Sequence, residues 1–123
     1  MDADLKRLEE IHYSLTARVD EIIEPIMSLI TEAMGYLPDE VVDYVIDNVT
    51  FRSGCAFTPK EYILEGGIIS LDDNLIDEGK DKAIYLVLHE IAHAYLKHRM
   101  DCDLEEDIRQ EKDADELARK WLI

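Results

Sequence analysis

With 123 residues, 47% of them hydrophobic and 34% charged, the chain can build one modest core but not two, so a single domain over residues 1–123 is expected. A net charge of −16, from 29 acids against 13 bases with no run of Lys or Arg, opposes direct contact with the phosphates of nucleic acid. No apolar segment approaches the roughly 20 residues of a membrane span, and residues 1–4 lack the basic start of a leader, so a cytoplasmic protein with no membrane contact is expected.

The acids crowd toward the start, where residues 1–50 hold 12 acids and 3 bases. Solubility accounts for this, or attraction to a basic protein partner. From Leu5, apolar residues recur at intervals of three and four through Leu8, Ile11, Leu15, Val19, Ile22, Ile26 and Ile30, the mark of an amphipathic helix. Pro25 removes a hydrogen bond and crowds the preceding turn, which predicts a kink or two consecutive helices, with Gly35 as the closing residue. His12 lies beside this stripe with no second ligand near it and reads as structural or surface-exposed. Pro38 suits the first turn of a short helix over 39–47, although Val41, Val42, Val45 and Ile46 would equally suit a strand.

The period then changes. Residues 49–52 alternate, Ser53 and Gly54 punctuate, and 62–64 and 68–71 flank Glu65-Gly66-Gly67. Three strands are predicted, the last two as a hairpin, with Asp77 capping the helix that follows. Cys55 and Cys102 are too few, and wrongly spaced, for a disulfide framework; they read as idle thiols, with Cys102 also a candidate metal ligand.

The chemistry concentrates in Leu86-Val87-Leu88-His89-Glu90-Ile91-Ala92-His93-Ala94-Tyr95-Leu96, an apolar run with the pattern H-E-x-x-H. On a helix drawn over 80–100, residues four apart lie about 40° apart, so His89 and His93 share a face on adjacent turns. Glu90 stands about 100° from His89, where it can reach a metal-bound water without ligating the ion. Ile84, Val87, Leu88, Ile91 and Tyr95 line the other side, which makes this helix central to the domain. Two imidazoles and a carboxylate in such a helix are costly to desolvate, and a zinc ion would compensate them.

Catalytic zinc usually takes three protein ligands. A last helix over 104–121 carries Leu104, Ile108, Glu111, Asp115, Ala118 and Leu122 on one stripe, with Ala114 and Trp121 beside it. The simplest assignment puts Glu111 on the metal and has Asp115, one turn on, accept the outer N–H of a ligating histidine. His98, about 140° around the helix from His93, is a poorer candidate.

H-E-x-x-H followed by E-x-x-x-D on a helix resembles the gluzincin metallopeptidases. More narrowly, His89-Glu90-Ile91-Ala92-His93-Ala94 with Glu111-Lys112-Asp113-Ala114-Asp115-Glu116-Leu117-Ala118 resembles the small ImmA/IrrE-type metallopeptidases and the minimal stand-alone gluzincins. The resemblance covers about residues 49–122. It implies an α+β, zincin-like fold: backing helices in a helical part over 1–48, then a catalytic core over 49–123 with a small three-stranded twisted sheet, the histidine helix and the glutamate helix. It also implies a substrate-binding edge strand, best matched by Gly67, Ile68, Ile69, Ser70 and Leu71, whose main chain could pair with an extended peptide. Metzincins continue the motif with Gly and His, where this chain has Leu96 and Arg99. The Spartan-like class needs a later histidine, and none follows His98. The helix-turn-helix domain of some ImmA-type relatives is not in this chain.

The expected function is that of a zinc peptidase acting on peptides or proteins, with zinc on His89, His93 and Glu111 and Glu90 as general base. Tyr62, Tyr95, His98 and Arg99 are open candidates for the oxyanion donor. The alternative is a metal-stabilised interaction or regulatory module with little hydrolysis, and a third reading is a cleft occluded by a terminal segment or a second copy of the chain.

Overall fold

A computed structural model describes residues 2–16, 19–20, 24–53, 68–71, 73–97 and 103–123. Its elements are α1 (Asp2–Thr16), β1 (Val19–Asp20), α2 (Glu24–Met34), α3 (Asp39–Asn48), β2 (Thr50–Ser53), β3 (Ile68–Leu71), a 3₁₀ turn (Asp73–Glu78), α4 (Lys80–Tyr95) and α5 (Leu104–Trp121). None of the described helices is long and apolar enough to cross a membrane.

The expected α+β architecture needs correction, because the described residues are mostly helical and the strands are only two to four residues long. The helices supply most of the core among the described residues. β1, β2 and β3 associate in that order and in parallel, with Val19 beside Phe51 and Phe51 beside Ile69. Of the three strands expected, 62–64 falls outside the described residues, while β1 lies within the stretch read as the first helix.

Pro25 sits at the second position of α2, where its missing N–H costs no helical bond, so it opens a helix. Gly35 closes α2, and a Cβ there would lie 2.8 Å from Leu8 Cδ2, so α1 packs against the turn because the residue is glycine. Arg7 of α1 donates to the carbonyls of Gly35, at 2.8 Å, and Leu37, tying the two segments together. His12 is half-buried, its Nδ1 3.2 Å from Thr31 Oγ1, which itself donates to Met27 O at 3.0 Å. The β-branched segment after Pro38 is helical.

α4 is the hub, touching α2, α3, α5, β3 and the 3₁₀ turn. It buries Ala83, Ile84, Val87, Leu88, Ile91, Ala92, His93 and Ala94, against Ile30 and Met34 of α2, Val45 of α3 and Phe51 and Ile69 of the strands in one cluster. Its start differs from expectation: Gly79, at φ 91, precedes Lys80 with no side-chain cap, so Asp77 does not cap it. It also stops earlier, at Tyr95, where Lys97 takes the left-handed conformation (φ 57) that ends many helices. α5 begins under Asp103, whose carboxylate accepts from Glu106 N at 2.8 Å.

Candidate metal centre

α5 meets α4 through Ala114, Ala118 and Trp121, all buried. The stripe expected to be buried is therefore corrected at its start, since Leu104 and Ile108 are 75% and 62% exposed. The two alanines bring the helix backbones close, and that approach lets the Glu111 carboxylate reach the imidazoles of α4.

Glu111 Oε2 lies 3.0 Å from His89 Nε2 and 3.4 Å from His93 Nε2, and the two nitrogens are 3.2 Å apart. The imidazole rings meet nearly edge to face, with centroids 4.7 Å apart and planes at 85°. Side-chain exposure falls from 38% at Glu111 to 15% at His89 and 5% at His93, so the site is closed on the α4 side and open on the α5 side. Three atoms that can each present a lone pair thus point into one small volume. A proton satisfies two such atoms, whereas a cation satisfies all three. Within the described residues, His89, His93 and Glu111 form a group that could hold a metal ion.

Glu90 is half-buried and next along α4, about 100° around the axis from His89. Asp115, expected on the outer N–H of a histidine, accepts instead from the Tyr85 hydroxyl and from Arg119 Nε at 3.0 Å. His89 Nδ1 is buried without a hydrogen-bond partner. Tyr95 packs edge-on against Tyr44, with centroids 5.2 Å apart, and against Trp121 at 6.3 Å, on the side of α4 away from the imidazoles. Tyr62, His98, Arg99, Cys55, Cys102 and Gly67 lie outside the described residues. Ile68, Ile69, Ser70 and Leu71 form β3, at one edge of the sheet order.

Tyr85 and Arg119 were missed in the sequence. Tyr85 lies one turn before His89, its ring centroid 5.9 Å from the imidazole, and the Arg119 guanidinium stands 5.5 Å from the centroid of the Tyr85 ring. The spacing of four that pairs His89 with His93 extends backward to Tyr85, and the spacing that pairs Glu111 with Asp115 extends forward to Arg119.

A family model described as Peptidase U49 matches residues 82–123, about a third of the chain. The match takes in all of α5 and nearly all of α4, hence His89, Glu90, His93 and Glu111. It supports a peptidase family, and not the narrower gluzincin, ImmA/IrrE-type assignment. Comparison with curated proteins and with solved structures gives no match.

Proposed function

We propose that the chain is a zinc-dependent peptidase in which His89, His93 and Glu111 hold the ion and Glu90 is the general base. The observation that carries this reading is the convergence of His89 Nε2, His93 Nε2 and Glu111 Oε2 at separations of 3.0 to 3.4 Å. With zinc bonds of about 2.0 to 2.1 Å, the edge of a tetrahedral ligand set is about 3.3 to 3.4 Å, so a small outward shift of the donors would bring all three to that spacing. Two imidazoles and one carboxylate also suit zinc better than magnesium, which prefers oxygen ligands. Three protein donors leave a corner for water, and the exposed flank at Glu111 leaves a way in.

A bound zinc ion would polarise the scissile carbonyl and lower the pKa of a water molecule. Glu90, beside the ligand pair, takes the proton from the attacking water and returns it to the leaving amine nitrogen. Buried His93 and half-buried His89 keep one wall of the site dry, which strengthens each charge interaction within it. The edge of β3 gives an extended peptide a main-chain partner.

The test compares wild type with Glu90→Gln, measuring bound zinc per chain and cleavage of a mixed peptide library. Zinc should remain in both, with cleavage at least about 100-fold lower in the variant. Zinc in both with no cleavage in either would favour the metal-stabilised module. Undiminished cleavage by Glu90→Gln would remove Glu90 from the mechanism.

A further inference from the structure

We propose that the Tyr85 hydroxyl and the Asp115 carboxylate form a brace that sets Glu111 against His89 and His93, making Tyr85 a positioning residue of the metal site. The inference rests on the metal-site reading above and deepens it.

The need for a brace follows from how α5 docks. Ala114 and Ala118, both fully buried, give it a shallow contact with α4, because a methyl group interlocks little with the facing helix. Trp121 anchors one flank through Tyr95. Roll of α5 about this contact would carry the Glu111 carboxylate away from the imidazoles. On the other flank stand Asp115 and Arg119, and what they meet is Tyr85.

The brace lies one turn from the metal group on both helices. Tyr85 precedes His89 by four residues, and Asp115 follows Glu111 by four, so the Tyr85–Asp115 bond and the His89–Glu111 contact are two neighbouring points between the same pair of helices. Two points remove the freedom to roll that one leaves. Arg119 Nε takes the other Asp115 oxygen at 3.0 Å while its guanidinium stands over the Tyr85 ring, so the carboxylate is held between two partners. Tyr85 directs its one hydroxyl proton to Asp115, which makes it a support for the ligands and leaves no proton for a substrate oxyanion while the bond stands.

The test uses the purified full chain and reads zinc affinity by competition with a chelator, beside the melting temperature of the zinc-free protein. Tyr85→Phe keeps the ring and its contacts with His89 and Arg119 and loses only the hydroxyl. It should weaken zinc binding about ten-fold, as loss of outer-shell support typically does. Asp115→Ala should weaken it at least as much, and Tyr85→Phe/Asp115→Ala should bind no more weakly than Asp115→Ala alone, because both changes break one bond. Tyr44→Phe is the control: its hydroxyl donates to Ala94 O of the same helix at 3.4 Å, and its loss should leave zinc affinity unchanged. Wild-type affinity in Tyr85→Phe, losses that multiply in the double variant, or an equal loss in Tyr44→Phe would overturn the brace alone. A wild-type chain that held no zinc would overturn the metal reading and the brace with it.

Discussion

Replacing Glu111 by alanine tests the metal site through stability, with no substrate needed. A ligand that binds only the folded chain stabilises it by an amount set by its free concentration relative to Kd, about 2.7 kcal/mol at 100 times Kd. For a chain of 123 residues the unfolding entropy makes 1 kcal/mol worth about 4 °C, so zinc at that excess should raise the wild-type melting temperature by about 10 °C. In the proposed site Glu111 would supply one of three donors, and its Oε2 lies 3.0 and 3.4 Å from the other two. Removing it should weaken zinc by about 100-fold or more, in line with the upper range for outer-shell losses. At the same zinc concentration the stabilisation then falls to about 0.4 kcal/mol, a shift of less than about 2 °C. In the zinc-free protein the substitution should cost less than about 1 kcal/mol, because the Glu111 side chain is over a third exposed and its contact with the histidines is partly screened. Scanning calorimetry of both proteins, with zinc and with chelator, reads all four values. A Glu111→Ala protein that kept the full wild-type zinc shift would refute the ligand assignment.

Ala118→Leu should push α5 off the core, costing about 1 to 3 kcal/mol and weakening zinc as well, since the methyl it replaces is fully buried; denaturant unfolding and zinc competition read the two effects. Phe51→Ala, at a fully buried strand position, should cost about 3 to 5 kcal/mol in denaturant unfolding of the zinc-free chain. Asp103→Ala removes the cap of α5 and should cost about 1 kcal/mol in the same assay. Lys80 is held above the ordinary lysine pKa of 10.5 by its hydrogen bond to Glu32 and the charge of that residue. Its contribution is therefore present below that pH and lost only as pH rises past it. Lys80→Met should then give a stability profile parallel to wild type between pH 6 and about 9, read by urea titration.

The helices were legible where periodicity and chemistry agreed. α5 begins and ends as its pattern predicts, because Asp103 caps it and polar residues cover its outer faces. α3 forms despite its β-branched residues, since Val41, Val42 and Val45 fall on one helical face, all buried, and burial outweighs propensity. The strands were less legible. A run of four residues such as Ile68–Leu71 carries a β signal but no information on its partner, and nothing local names β2, the parallel neighbour of β3 in the structure. Val19 and Asp20 were absorbed into a helical stripe because apolar spacing extends across the break between α1 and α2.

The metal group was legible for a related reason: each half of it is local. His89 and His93 are related by one turn of a single helix, and Glu111 was singled out as an acid within an apolar stripe. What spacing along one helix does not contain is the angle at which two helices cross, which non-local packing decides. The expected stripe on α5 took in Leu104 and Ile108, which are exposed, along with Ala118, which is fully buried like Ala114 beside it. That shift of face turns Asp115 and Arg119 toward Tyr85, and it explains why a carboxylate assigned to a histidine is bound to a tyrosine in the fold. On α4, His89 Nδ1 is buried without a partner. An imidazole that ligates through Nε2 carries its proton on Nδ1, so in the proposed site His89 would keep a donor with no acceptor, a cost that the bond to a metal would have to exceed.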